Sequence, residues 1–208
     1  MRFRMERLRT YDPLRSPPCL PGRFSTYSRV RFASIILLAL GLFAASATPE
    51  VAPKGRVVVL LEPGCPIARF GLTALRECFE TFGPQGVRFQ GHVPNRLATE
   101  ASVATYREKF SIPFPVSPDS LQLKATELGA AIVPEVFVYD AKDTLIYRGR
   151  IDDAFVAIGK RRPKAHTHDL KRTLTALLNG DPILISQTTP VGCAITSSKL
   201  DLNKLDPK

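Results

Sequence analysis

From Gly55 onward the apolar and polar positions fall into a readable order of elements. Val57-Val58-Val59-Leu60-Leu61 is an unbroken aliphatic run of strand length between Gly55 and Pro63-Gly64, and a run without polar alternation predicts a strand covered on both faces. Ala68, Leu72, Leu75, Phe79 and Phe82 then recur at helical spacing and make one apolar face, so a helix that packs on a sheet follows. Pro66 suits its first position, because the missing N–H would have no intrahelical partner there. Residues 87–92 alternate apolar and polar and predict a second strand. Residues 99–110 predict a helix capped by Thr99, with Val103, Tyr106 and Phe110 on one side. Residues 112–116 hold two prolines and read as an edge strand or connector. Residues 120–128 predict a helix through Leu121, Ala125 and Leu128, stopped by Gly129. Residues 131–140 predict a strand with Pro134 near its start; residues 141–143 turn, and residues 144–150 return as the second arm of an antiparallel hairpin.

Residues 152–165 carry Lys160, Arg161, Arg162 and Lys164 with Gly159 and Pro163, a solvated surface loop. Residues 167–179 predict an amphipathic helix with Leu170, Leu174, Leu177 and Leu178 on its face, Asp169 in its first turn and Gly180 at its end. His166 and His168 at its start are read as solvent-facing caps. A tail, residues 181–208, carries Cys193 and ends in a polar stretch expected to fray.

The first 47 residues follow a different pattern. Eight arginines precede an apolar segment, residues 33–47, that ends in Ala45-Ser46-Ala47. A basic region, an apolar core and small residues at the end are the marks of a secretory signal peptide. The apolar segment is about 15 residues, short of the roughly 20 that a spanning helix needs, so no stable membrane anchor is expected once the signal is removed. The mature chain is expected to begin near Thr48, with residues 48–54 as a short linker and residues 55–180 as the domain. Export to the periplasm or the cell exterior follows from the same segment.

The signal also changes the reading of charge. The full chain carries 29 basic and 19 acidic side chains, a net of +10. Without residues 1–47, which hold eight arginines and two acids, 21 basic and 17 acidic side chains remain, a net of +4. A nucleic-acid partner is therefore not expected.

The candidate chemistry lies where the first strand meets the first helix. Cys65 falls at or beside the helix N-cap, where unpaired backbone N–H groups and the positive end of the helix dipole favour a thiolate, and Arg69 adds charge one turn on. Cys19 leaves with the signal, so Cys65, Cys78 and Cys193 remain, and an odd count in an oxidising compartment points to a functional thiol. Thirteen helical residues at about 1.5 Å each separate Cys78 from Cys65 by roughly 20 Å, beyond the reach of a disulfide. Cys78 is accordingly structural.

A strand, a cysteine at a helix start, a second strand, helices, then Val133-Pro134 ahead of a hairpin and a closing helix: in this order the chain resembles the thioredoxin-like superfamily, and within it the redoxin branch of peroxiredoxins and thiol-specific antioxidants. The resemblance covers roughly residues 55–180. It implies an α/β fold with a central mixed β-sheet flanked by helices, Cys65 as the reactive cysteine and Pro134 as a cis-proline shaping a groove opposite it. Three positions differ from named relatives. Ala68 stands where thioredoxins have their second cysteine, Glu62 where peroxiredoxins have a threonine, and Arg69 where copper-delivering members have a second cysteine. The resemblance implies a disulfide, sulfenic acid or peroxide substrate and an external thiol reductant. The thiol that resolves Cys65 is Cys193 or comes from another molecule. No cofactor or metal is assigned in this reading. The alternative is a non-enzymatic binding module, or a copper-handling protein using Cys65, Cys193 and His168.

Overall fold

The structure, a computed structural model, describes residues 53–196. The expected signal peptide and the polar C-terminal end lie outside these residues. In chain order the elements are β1 (Gly55–Leu60), α1 (Pro66–Phe82), a 3-10 turn (Gly83–Gln85), β2 (Val87–Val93), α2 (Glu100–Lys109), β3 (Val116–Pro118) and α3 (Leu123–Glu127). They continue with β4 (Ile132–Val133), β5 (Glu135–Asp140), β6 (Leu145–Gly149), β7 (Phe155–Ala157), β8 (Lys160–Arg161), α4 (Asp169–Asn179) and β9 (Cys193–Ala194).

Five strands form one sheet in the order β3-β2-β1-β5-β6. β1 lies at its centre, parallel to β2 from Gly55↔Val87 to Leu60↔His92 and antiparallel to β5 from Gly55↔Asp140 to Leu60↔Glu135. This position explains the aliphatic run. Val57, Val59 and Leu61 enter one hydrophobic cluster with residues of α1, α2 and α4; Val58 and Leu60 enter a second with Cys65, Ala68, Ala125, Val133 and Phe137. All five are at most 1 % exposed, and burying each such side chain stabilises the fold by about 1.5–3 kcal/mol. The mixed sheet with helices on both faces is the thioredoxin-like arrangement.

α1 buries Ala68, Leu72, Leu75 and Phe82 as its spacing predicts, and adds Ile67 and Cys78. Thr99 caps α2 by accepting from the Ser102 amide, and Ser102 returns the bond to the Thr99 amide.

Four expectations are corrected. α3 starts at Leu123 and not at residue 120, because Gln122 is left-handed (φ 56°) and the Asp119 carboxylate takes the amides of Lys124 and Ala125. Leu121, counted on its apolar face, is 72 % exposed. The strand expected over 131–140 breaks at Pro134 into β4 and β5, which belong to different sheets. The basic loop contains the hairpin β7–β8, whose Phe155 packs on Phe70 with ring centroids 5.8 Å apart. α4 begins at Asp169 with His168 as its N-cap residue, yet the His168 side chain makes no capping bond, so the histidines do not cap the helix through their side chains.

The chain ahead of α4 is held instead by Asp153, whose Oδ1 accepts from the amides of His166 at 2.6 Å and Thr167 at 2.9 Å, with Arg162 Nη1 3.3 Å from Oδ2. The Thr167 amide first, then that of His166 and the Arg162 charge, hold the Asp153 carboxyl below its ordinary value of 3.8. A carboxylate depressed in the folded state contributes stability above its unfolded value and loses it as pH falls through the lower folded value. Asp153→Asn is therefore expected to lower the denaturation midpoint at neutral pH, with the deficit shrinking below about pH 3.8. Chemical denaturation of variant and wild type across pH checks this; a deficit that does not change with pH would contradict it.

Candidate functional site

Cys65 is the N-cap residue of α1, in extended conformation (φ −84°, ψ 114°), with Pro66 in the first turn. Its amide donates to the Glu62 carbonyl at 3.0 Å and its carbonyl accepts from the Arg69 amide at 3.1 Å. The backbone thus turns sharply out of β1 and sets the sulfur at the positive end of the helix, where a thiolate is favoured and no acidic side chain occupies the first turn.

The sulfur is bonded to that of Cys193, 128 residues away in sequence, with the Cα atoms 6.0 Å apart. Cys193 reaches it on β9, which runs antiparallel to β4 in the register Ile132↔Ala194 and Val133↔Cys193. The Ile195 amide extends the ladder by donating to the Ala131 carbonyl at 2.8 Å. Val133 joins Pro134 through a cis peptide, and its carbonyl oxygen is 3.5 Å from Cys65 Sγ. Cys65, Cys193 and the Val133-Pro134 corner therefore meet at one place. Arg69 does not join them by contact: it is exposed, with its guanidinium 6.0 Å from the centre of the Phe110 ring.

Three attachments bring the tail back across the fold. The Arg148 amide donates to the Ser186 carbonyl at 2.9 Å and the Thr188 amide to the Arg148 carbonyl at 3.0 Å. Thr188 Oγ1 accepts from the Arg150 amide at 3.1 Å and lies 2.7 Å from the Tyr147 hydroxyl, which itself donates to the Arg150 carbonyl. Gly149 makes room for this anchor: at φ 140° it lies against Thr188, where a side chain would collide. Further on, Gly192 lies flat on Val133, and a Cβ there would run into the Val133 carbonyl. Gln122 Nε2 then donates to the Thr196 carbonyl at 2.6 Å and to that of Pro94 at 3.2 Å.

Clefts open on both sides of this segment. One, of about 310 Å³, is lined by Glu62, Asn95, Arg96, Gln122 and Ile195. In it, Asn95 Nδ2 donates to both Glu62 carboxylate oxygens at 3.1–3.2 Å. The other, of about 100 Å³, is lined by Ile67, Phe70, Pro134, Phe155 and Val191. His92 is buried, its Nε2 has no hydrogen-bond partner among the described residues, and burial pushes the imidazole below its ordinary value, partly offset by Asp119. Nothing in the spacing of apolar residues marks Thr188, Gly192, Gln122 or Asn95; Gly192 directly before Cys193 is the visible trace of the close approach.

Cys78 lies in the larger hydrophobic cluster, 4 % exposed, and burial pushes its thiol up to about 12. It stays protonated at neutral pH. His166 and His168 line a separate cavity with Lys171 and Leu184. Among the described residues no cluster of three His, Cys, Asp or Glu side chains could hold a metal ion, and no helix is long and apolar enough to cross a membrane.

No family model and no curated protein matches the sequence. Solved structures do match. A hypothetical protein from Sinorhizobium meliloti is 25 % identical, with 71 % of this chain and 82 % of that one covered and a TM-score of 0.63. An uncharacterized conserved protein from Geobacillus kaustophilus is 24 % identical, with coverage of 70 % and 78 % and a TM-score of 0.60. Further off, a secreted disulfide oxidoreductase of Mycobacterium tuberculosis homologous to E. coli DsbE is 16 % identical, with coverage of 61 % and 81 % and a TM-score of 0.43, a resemblance of outline alone.

Two outcomes follow from the geometry. Gly192→Val is expected to keep β9 off β4 and leave Cys65 and Cys193 unpaired, so thiol titration of the denatured, air-oxidised variant would find two more thiols than in the wild type. An unchanged thiol count would contradict this. Cys193→Ala is expected to lower the stability of the oxidised chain by about 2–4 kcal/mol, since the bond restrains a long loop in the unfolded state. Denaturation with and without reductant checks it, the difference between the two proteins vanishing when both are reduced.

Proposed function

We propose that this chain is an exported thiol-disulfide oxidoreductase of the redoxin type, with Cys65 and Cys193 as its redox couple. The observation that carries the reading is the Cys65–Cys193 disulfide at the start of α1, beside the cis Val133-Pro134 corner. Export is supported by the basic, apolar and small-residue pattern of the first 47 residues, and it fits a disulfide, which persists in oxidising compartments.

In the cycle the oxidised chain takes two electrons and two protons from a dithiol, which becomes a disulfide, while Cys65 and Cys193 become thiols; the reverse direction reduces a partner's disulfide. Cys65 is the sulfur that attacks or leaves as a thiolate, because it alone of the two sits at a helix N-terminus. Arg69 adds positive charge to that turn from a distance, and Pro134 shapes the wall beside the bond. Peroxide is the less suited substrate: the position three residues before Cys65 holds Glu62, a carboxylate already engaged with Asn95 and unable to donate a hydrogen bond when ionised.

Cys65→Ser is expected to lower disulfide-exchange turnover by roughly 100-fold or more, because the thiolate is the reacting species. The measurement is reduction of a protein disulfide and oxidation of a dithiol by the purified wild type and variant, with peroxide consumption followed in parallel. Unchanged exchange in the variant would sink the proposal, and peroxide consumption outpacing exchange would move the assignment to the peroxidase arm.

A further inference from the structure

We propose that residues 189–196 form a redox-latched strap, hinged at Thr188, that takes the incoming thiol on Cys193 and lifts off β4 when the disulfide is reduced. The proposal rests on the thiol-disulfide reading and adds the order of attack and a moving part.

The two sulfurs differ in access. Cys65 is 1 % exposed, in a cluster against which Val191, Cys193 and Ile195 of the strap pack, while Cys193 is half-buried and flanked by the exposed Ala194. Exchange begins at the sulfur that an attacking thiolate can reach, and the better leaving group is the sulfur whose thiolate is favoured. Access selects Cys193 and the helix terminus makes Cys65 the leaving group, so both considerations give the same direction. A reductant thiolate bonds to Cys193 Sγ, the Cys65–Cys193 bond breaks, and its electron pair departs on Cys65. A second thiol of the reductant then attacks its own sulfur in the mixed disulfide. Cys193 is released as a thiolate that takes up a proton, and the reductant leaves as a disulfide. Two electrons and two protons have passed to the chain.

The attachments of the segment are unequal. At Thr188 the backbone is hydrogen-bonded to Arg148 and the hydroxyl is enclosed by Tyr147 and the Arg150 amide, over a glycine that leaves no slack. Beyond it the noncovalent hold seen among the described residues includes a two-residue strand pair, the Ile195 amide bond, the Gln122 bond to the Thr196 carbonyl, the contact of Gly192 with Val133 and the half-buried side chains of Val191 and Ile195. A pair of such short strands is marginal by itself. Without the covalent link, that end is the one that opens, and local opening is what amide exchange reads.

The test uses the oxidised full chain with glutathione as the probe. After brief exposure, acid quench and alkylation, peptide mass spectrometry is expected to find glutathione on Cys193 and the alkyl label on Cys65. Hydrogen exchange of the oxidised and reduced chains is expected to show the Ile195 amide exchanging roughly ten-fold or more faster on reduction, with the Thr188 amide unchanged. Glutathione on Cys65, or equal Ile195 protection in both states, would overturn the proposal. Loss of protection at Thr188 as well would overturn the hinge. A disulfide that resists both glutathione and dithiothreitol would instead overturn the thiol-disulfide reading on which the proposal rests.

Discussion

The site depends on the antiparallel pairing of Cys193 with Val133. A disulfide needs its two Cα atoms within about 7 Å, and here the residues are separated by 128 positions, so chance encounter in a flexible tail is a poor source of the bond. The fold supplies the proximity in stages. Thr188 fixes the tail to β6, Gly192 allows contact with the Val133 backbone, and the strand register then delivers Cys193 opposite Val133, whose carbonyl touches Cys65 Sγ. Each stage shortens the loop that the next must close.

The same arrangement ties the sulfur chemistry to the centre of the sheet. β1 is packed on both faces and leads directly into the turn that ends at Cys65, so the position of the helix start is set by a strand buried along nearly its whole length. The second cluster, with Val58, Leu60, Ala68, Ala125 and Phe137, lies beneath the disulfide and receives Val191, Cys193 and Ile195 from the tail. One cysteine of the disulfide is thereby built into the buried centre of the fold, and the other is carried on the returning tail.

What the sequence made legible follows from this division. β1 is a continuous apolar run and α1, β2, α2 and α4 each bury a repeating set of side chains, and a run of strand length or a repeat of two or 3.6 residues survives in the letters whatever the partner. β4 and β9 are two residues long, too short for any period, and their pairing is a fact about two distant segments. Leu121, Ala125 and Leu128 have helical spacing, yet α3 owes its start to Asp119, a capping bond that hydrophobic spacing does not report. The anchor at Thr188 is a hydroxyl in a knot of backbone groups, chemically indistinguishable in sequence from the adjacent Thr189.

Cys65 and Cys78 lie on one helix and show how far position outweighs residue type. At the helix start, unpaired amides and the dipole lower the cost of a sulfur anion, and a strand brings a second sulfur to bond with it. Three and a half turns later the same side chain faces Leu75 and Phe82 in the larger cluster, where desolvation raises its thiol to about 12. A single helix thus holds a disulfide-bonded sulfur at its start and a packed, protonated thiol on its core face, and the difference between them is set by whether the sulfur meets the helix N-terminus or the apolar flank.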